Sequence, residues 1–173
     1  MNDKCGEMYD SRVVANRLIE LAHQHDNTLT PMQLIKLVYI AHGWMLGLYH
    51  RPLLRDEVQA WRYGPVIPHL YSAVRENRGR AVVGPLASDG GKLDARADDI
   101  VVQVYRRYGT IPGMHLSRLT HARGTPWAQM YSPGIFGVAI PDDLIEGHYA
   151  RYMSSGNRNS GSDSSSSELA QAS

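Results

Sequence analysis

The run LTPMQLIKLVYIAHGWMLGLYH, which begins at Leu29, constrains the fold of this chain more than any other stretch. Thr30, Pro31 and Gln33 supply an N-cap, a first-turn proline and an N3 side chain able to return a hydrogen bond, so a capped helix starts here. Leu34, Leu37, Val38, Ala41, Met45 and Leu48 fall on one side of it, and Ile35, Tyr39 and Trp44 on others. A helix apolar on several faces must be surrounded by the rest of its domain. Lys36, His42, Gly43 and Gly47 make the same segment too short and too polar to cross a bilayer. The two glycines each cost about 1 kcal/mol against alanine in a helix. That cost is tolerable if another backbone packs close to that face.

Other elements are arranged around this helix. Residues 11–25 carry Val14, Leu18, Leu21 and Ala22 at helical spacing behind a capping Asp10 or Ser11. After a turn at residues 49–55, residues 57–63 alternate as a short strand with Trp61 and Tyr63 on one side, and Gly64-Pro65 is expected to stop it. Pro68 opens a further helix toward Glu76, and residues 77–93 form a glycine- and arginine-containing surface loop. Asp94 or Asp98 caps a helix through Ile100, Val101, Val104, Tyr105 and Tyr108 that Gly109 closes. A short helix over residues 112–120, a loop at 132–137 and a last helix over 141–153 complete the body. The fold class is therefore mainly α (α+β), a multi-helix domain around a central apolar helix with one small β element. Residues 1–10 read as a flexible N-terminus, 11–153 as the helical domain and 154–173 as a disordered Ser-rich tail too poor in apolar side chains to offset its ordering entropy.

Charge and reactive residues exclude several function classes. The formal net charge is +1, which gives little electrostatic pull on nucleic acid or anionic membrane. A single cysteine, Cys5, rules out an internal disulfide and suits a reducing cytoplasm, and no apolar leader is visible near Asp3 and Glu7. Eight histidines are scattered without an H-E-x-x-H pair or a cysteine partner, so no metal centre is expected. Cys5 has no base beside it, and neither a nucleophile elbow nor a P-loop is present, so the chain is expected to be non-enzymatic, with no cofactor. Arg75, Arg78, Arg80 and Lys92 form one basic group and Arg106, Arg107, Arg118 and Arg123 a second. They support a DNA-binding regulator of its own operon as the alternative reading, though the footprint is weak for a dedicated DNA module. The aromatics Trp44, Trp61, Trp127, Tyr39, Tyr63 and Tyr71 sit at element junctions. Buried, they clamp helices and need partners for their polar tips, which Thr120 and His121 beside Pro126-Trp127 can supply; exposed, they are interface anchors.

Four ordered stretches resemble the Panacea antitoxin domain family, which includes SocA-like and phage-associated proteins. They are the Leu29 run through Trp44, then Arg51-Pro52-Leu53 with Ala60-Trp61-Arg62-Tyr63-Gly64-Pro65-Val66-Ile67-Pro68, then Leu116-Ser117-Arg118-Leu119-Thr120-His121 with Pro126-Trp127, and lastly Ile140-Pro141-Asp142-Asp143-Leu144-Ile145 with Tyr149. The resemblance spans residues 13–152. Two departures stand out: Arg123 where the family often has an acidic residue, and His42 where glutamine is frequent. The resemblance implies a cytoplasmic antitoxin that neutralises a toxin encoded beside it by direct protein–protein contact, some members also acting as adaptors for a ClpXP-type protease. It implies a cognate protein toxin as partner; the charge balance argues against nucleic acid as a partner, and no membrane is expected. The partner-contact and family-motif candidates are Lys36, Trp44, Trp61, Tyr63, Thr120, His121, Arg123 and Trp127.

Overall fold

A computed structural model of the protein describes residues 6–159. Among these residues the elements are α1 (Ser11–Gln24), α2 (Pro31–Tyr49), β1 (Gln59–Trp61), β2 (Gly64–Val66), α3 (Pro68–Val74), α4 (Ala95–Tyr108), α5 (Gly113–Thr120), α6 (Pro126–Met130), β3 (Val138–Ala139) and α7 (Asp142–Asn159). The capping box on α2 closes in both directions: the Thr30 N–H donates to Gln33 Oε1 at 3.0 Å, and the Gln33 N–H to Thr30 Oγ1 at 3.3 Å. Every residue from Leu34 to Leu46 is buried, so α2 is the central helix that its all-round apolar pattern demands. It packs most extensively against α7, then against α4, α5 and α1.

The α2–α7 contact explains the paired glycines. A Cβ on Gly43 would enter the ring of Tyr149, and one on Gly47 would lie 2.8 Å from the Tyr149 backbone carbon. Close approach of a second backbone is what makes the propensity cost tolerable. Of the two acids proposed to cap α4, Asp94 does so, accepting from the Ala97 N–H at 2.8 Å. Asp98 instead receives Arg17 Nε of α1 at 2.6 Å. The loop at residues 77–93 is tied down at three points: the Val82 N–H donates to Leu29 O at 2.8 Å, Asn16 exchanges two hydrogen bonds with Leu86, and Asp89 pairs with Arg55.

Three expectations need correction. Gly64-Pro65 does not end the β element but forms β2, which pairs antiparallel with β1, while β3 pairs on the other side to give the order β2-β1-β3. Proline is compatible with an edge strand because its missing N–H faces away from the ladder. Gly64 sits at φ +109°, where any other residue would be strained, and a Cβ there would lie 2.8 Å from Lys36 Nζ and displace it. The residues after Gly124, to which no element was assigned from sequence, wind into α6 with Thr125 as its N-cap. Order begins before residue 11: Tyr9 is buried, its N–H donates to Leu53 O at 2.8 Å, and Asp10 caps α1. Finally, α7 runs past Met153 to Asn159. The Ser154 and Ser155 hydroxyls donate to carbonyls one turn back, at 2.9 Å each, which lets serines continue a helix. Cys5 and residues 160–173 lie outside the described residues.

Candidate functional site

The β1–β2 hairpin, the start of α2, α3 and the segment leading into β3 enclose a cavity of about 640 Å³. Trp61 is its central wall. Its ring meets Tyr71 edge-on at 5.0 Å and Phe136 at a tilt at 5.1 Å, and its Nε1–H donates to Gln59 Oε1 at 2.9 Å. Around the mouth stand Tyr63, Ile135 and Phe136, exposed by 56%, 58% and 79%. One exposed apolar side chain needs no explanation, but several contiguous ones around a cavity mark a binding surface. Arg62, Arg75 and Arg78 line the same cavity, and no carboxylate does among the described residues.

Lys36 also lines it, and it is the unusual group. It projects from the central helix, is 2% exposed, and donates from Nζ to the Pro65 carbonyl at 2.8 Å. That bond satisfies the outer edge of β2, while Ser117 Oγ satisfies the Tyr63 carbonyl at 2.6 Å. Burial pushes the ammonium down to about 7. Among the described residues Lys36 makes no ion pair.

The remaining candidates fall at graded distances from this groove. Trp127 buttresses it from behind, donating Nε1–H to the Trp61 carbonyl at 2.6 Å and stacking on Tyr131 at 4.6 Å. The expected polar partner for its tip is thus a strand carbonyl rather than Thr120 or His121. His121 meets Trp127 edge-on at 5.2 Å and hydrogen-bonds back to Ser117 O. Thr120 is buried and donates to Leu116 O at 2.9 Å, a structural placement. Arg123 is exposed on the turn before α6. Trp44 does not belong to the groove: it is buried and edge-on to Tyr108 at 6.0 Å. On a helix apolar all round, periodicity cannot tell which face a tryptophan serves.

Ile135 and Phe136 were missed as groove residues, while Tyr71 and Arg62, named among the junction aromatics and in the family motif, line the cavity without having been contact candidates. The available signal was an Ile-Phe pair inside a loop flanked by glycines, where burial is unavailable. Arg75 and Arg78, weighed from sequence as phosphate contacts, are exposed and line the cavity. A further cluster, Asp10, Asp56 and His69, brings ligand-type atoms within 4.8 Å of one another. Its carboxylates are already engaged: Asp10 receives Arg12 Nη2 at 2.7 Å and sits far below the usual carboxylate range through that bond, and Asp56 accepts the Ser11 N–H at 2.6 Å.

His42 shows how one departure from the family pattern is absorbed. Its Nδ1 accepts from the N–H groups of Leu53 and Leu54 at 3.3 and 3.2 Å, which leaves the proton on Nε2 to donate to Asp142 Oδ1 at 2.9 Å. A carboxamide offers the same acceptor and donor. His42→Gln is therefore expected to hold stability within about 1 kcal/mol, whereas His42→Leu orphans two buried N–H groups and costs about 2 kcal/mol, read by urea unfolding. Equal losses for both variants would remove this account.

A central helix that carries a small sheet, with a basic aromatic groove opening beside it, defines a mainly helical α+β domain. Residues 34–128 match the family described as antitoxin SocA-like, Panacea domain, and the chain, matched over more than half its length, belongs to that family. It is 29% identical over 154 residues to Antitoxin SocA of Caulobacter vibrioides (strain NA1000 / CB15N), covering 81% of this chain and 82% of that protein. No solved structure matches it. The matched region holds Lys36, Trp61 and Tyr63, while Phe136 lies beyond it. Among the described residues no helix is long and apolar enough to cross a membrane.

Proposed function

We propose that this chain is a non-enzymatic antitoxin that neutralises a toxin encoded beside it by direct contact, with the groove as the contact surface. Family membership supports the antitoxin role. The observation that carries the choice of surface is the ring of exposed Tyr63, Ile135 and Phe136 around a preformed cavity. Aromatic and arginine side chains dominate binding energetics where they can be fully desolvated. The reading places the chain in the cytoplasm, with residues 9–159 as the binding unit. Delivery of the bound toxin to a ClpXP-type protease is an additional step that the toxin's half-life, with and without that protease, measures directly.

Co-expression of the chain with the product of the neighbouring gene, followed by co-purification, tests the proposal. Rescue of growth and a stable complex are expected; a neighbour that is harmless alone and never co-purifies removes it. Within the complex, Phe136→Ala is expected to weaken affinity about 30-fold, a loss of about 2 kcal/mol, with an unchanged unfolding midpoint. Arg123→Glu, on an exposed turn, is expected to change mainly the association rate and its salt dependence.

A further inference from the structure

We infer that the groove takes an acidic segment of its protein partner, with one apolar side chain in the cavity and a neighbouring carboxylate on Lys36; this rests on the antitoxin reading for the source of that segment. A buried ammonium without a counter-ion is among the least favourable arrangements in a protein, and methionine could fill the same space with no charge to desolvate. Lys36 nevertheless stands 2% exposed, with one neutral carbonyl as its hydrogen-bond partner and two N–H donors left over. It lines an open cavity rather than a sealed core, and a shift of its flexible side chain would bring those donors to an incoming group. The other charged groups on the cavity are Arg62, Arg75 and Arg78. Arg62 lies over the Tyr63 ring at 5.4 Å, and the nearest acid to Arg75 is the exposed Glu76 at 3.5 Å. From α5, the atom that approaches is the Thr120 hydroxyl, which already donates to carbonyls of its own helix, while the His121 ring is turned to Ser117. Among the described residues, four cations and no anion line this aromatic-walled cavity, which makes it complementary to an anion with an apolar body. The ammonium, held near 7 by burial, would be drawn into its charged form by an arriving carboxylate.

The test uses the full chain and two probes of equal shape, indole-3-acetate and indole-3-ethanol, titrated while following the Trp61 indole N–H by NMR. The acid is expected to bind about tenfold more tightly than the alcohol near pH 6, since charge-assisted hydrogen bonds are roughly twice as strong as neutral ones. That preference should shrink by about pH 9 and vanish in Lys36→Met, while Phe136→Ala should weaken both probes alike. Equal affinity for acid and alcohol, binding of neither, or a preference that survives Lys36→Met overturns the inference. Co-purification with the toxin reads the earlier proposal separately. A chain that holds its toxin but ignores the carboxylate loses only this inference, and one that prefers the carboxylate but binds no toxin loses the antitoxin reading.

Discussion

Lys36→Met is expected to stabilise the protein by about 2 kcal/mol near pH 6 while weakening partner binding at least about tenfold. The ammonium titrates near 7 in the folded chain against an ordinary value of 10.5. Below 7 it is charged in both states, and the full cost of burying that charge falls on the native fold. Between about 7 and 10.5 the unfolded chain binds a proton that the folded one does not, so native stability rises with pH across that window. The gap corresponds to about 5 kcal/mol at most, of which the orphaned Pro65 carbonyl in the variant takes back about 1–3 kcal/mol. Urea unfolding of wild type and variant at about pH 6 and pH 10 isolates the contribution, because every other titrating group is common to both. The variant should lead at the lower pH and lose its lead at the higher one. Parallel pH profiles, or a variant less stable near pH 6, would show that the lysine is not held as a strained cation. A residue that costs stability and gives it back on substitution is the signature of a functional site.

Tyr149→Ala is expected to be the most damaging single truncation, at about 4 kcal/mol. Tyr149 is the knob by which α7 seats on the central helix. Its ring fills the notch left by Gly43, its backbone lies against Gly47, and it meets Tyr39 edge-on at 6.2 Å. Gly43→Ala should cost about 2 kcal/mol, because overpacking the ring outweighs the roughly 1 kcal/mol gained in helix propensity. In a Tyr149→Ala background the added methyl enters the vacated space, so the double variant should be more stable than the sum of the singles implies. A thermal-unfolding cycle over the four proteins measures this coupling, and strict additivity would mean that the two positions do not share a contact.

The elements that local chemistry governs were legible in the chain. The Thr30–Gln33 capping box, the burial of α2, the Asp94 cap and the close approach at Gly43 and Gly47 each follow from side chains acting on their own turn or on one neighbouring backbone. Those are interactions of short sequence range, and periodicity and capping rules report them directly. The groove was only partly legible. Trp61, Tyr63 and Lys36 lie on recognisable motifs, but nothing near Lys36 in the chain announces that its ammonium reaches Pro65, twenty-nine residues away. Trp44 and Trp61 look alike in sequence, yet one is locked beside Tyr108 and the other walls a cavity.

β2 shows the same limit. Gly64 and Pro65 carry the local signature of a chain break, yet they pair with β1, and Lys36 supplies a hydrogen bond to the outer Pro65 carbonyl while Ser117 meets the preceding Tyr63 carbonyl. Phe136 joins the groove for an equally non-local reason, since pairing of β3 with β1 brings its loop over Trp61. The capped, all-round apolar run at Leu29 was enough to dictate a central helix enclosed by others, because burying that surface has no other solution in water. Which of its polar and aromatic neighbours would meet at one cavity depended on contacts between elements far apart in the chain, and those are set by packing rather than by local preference.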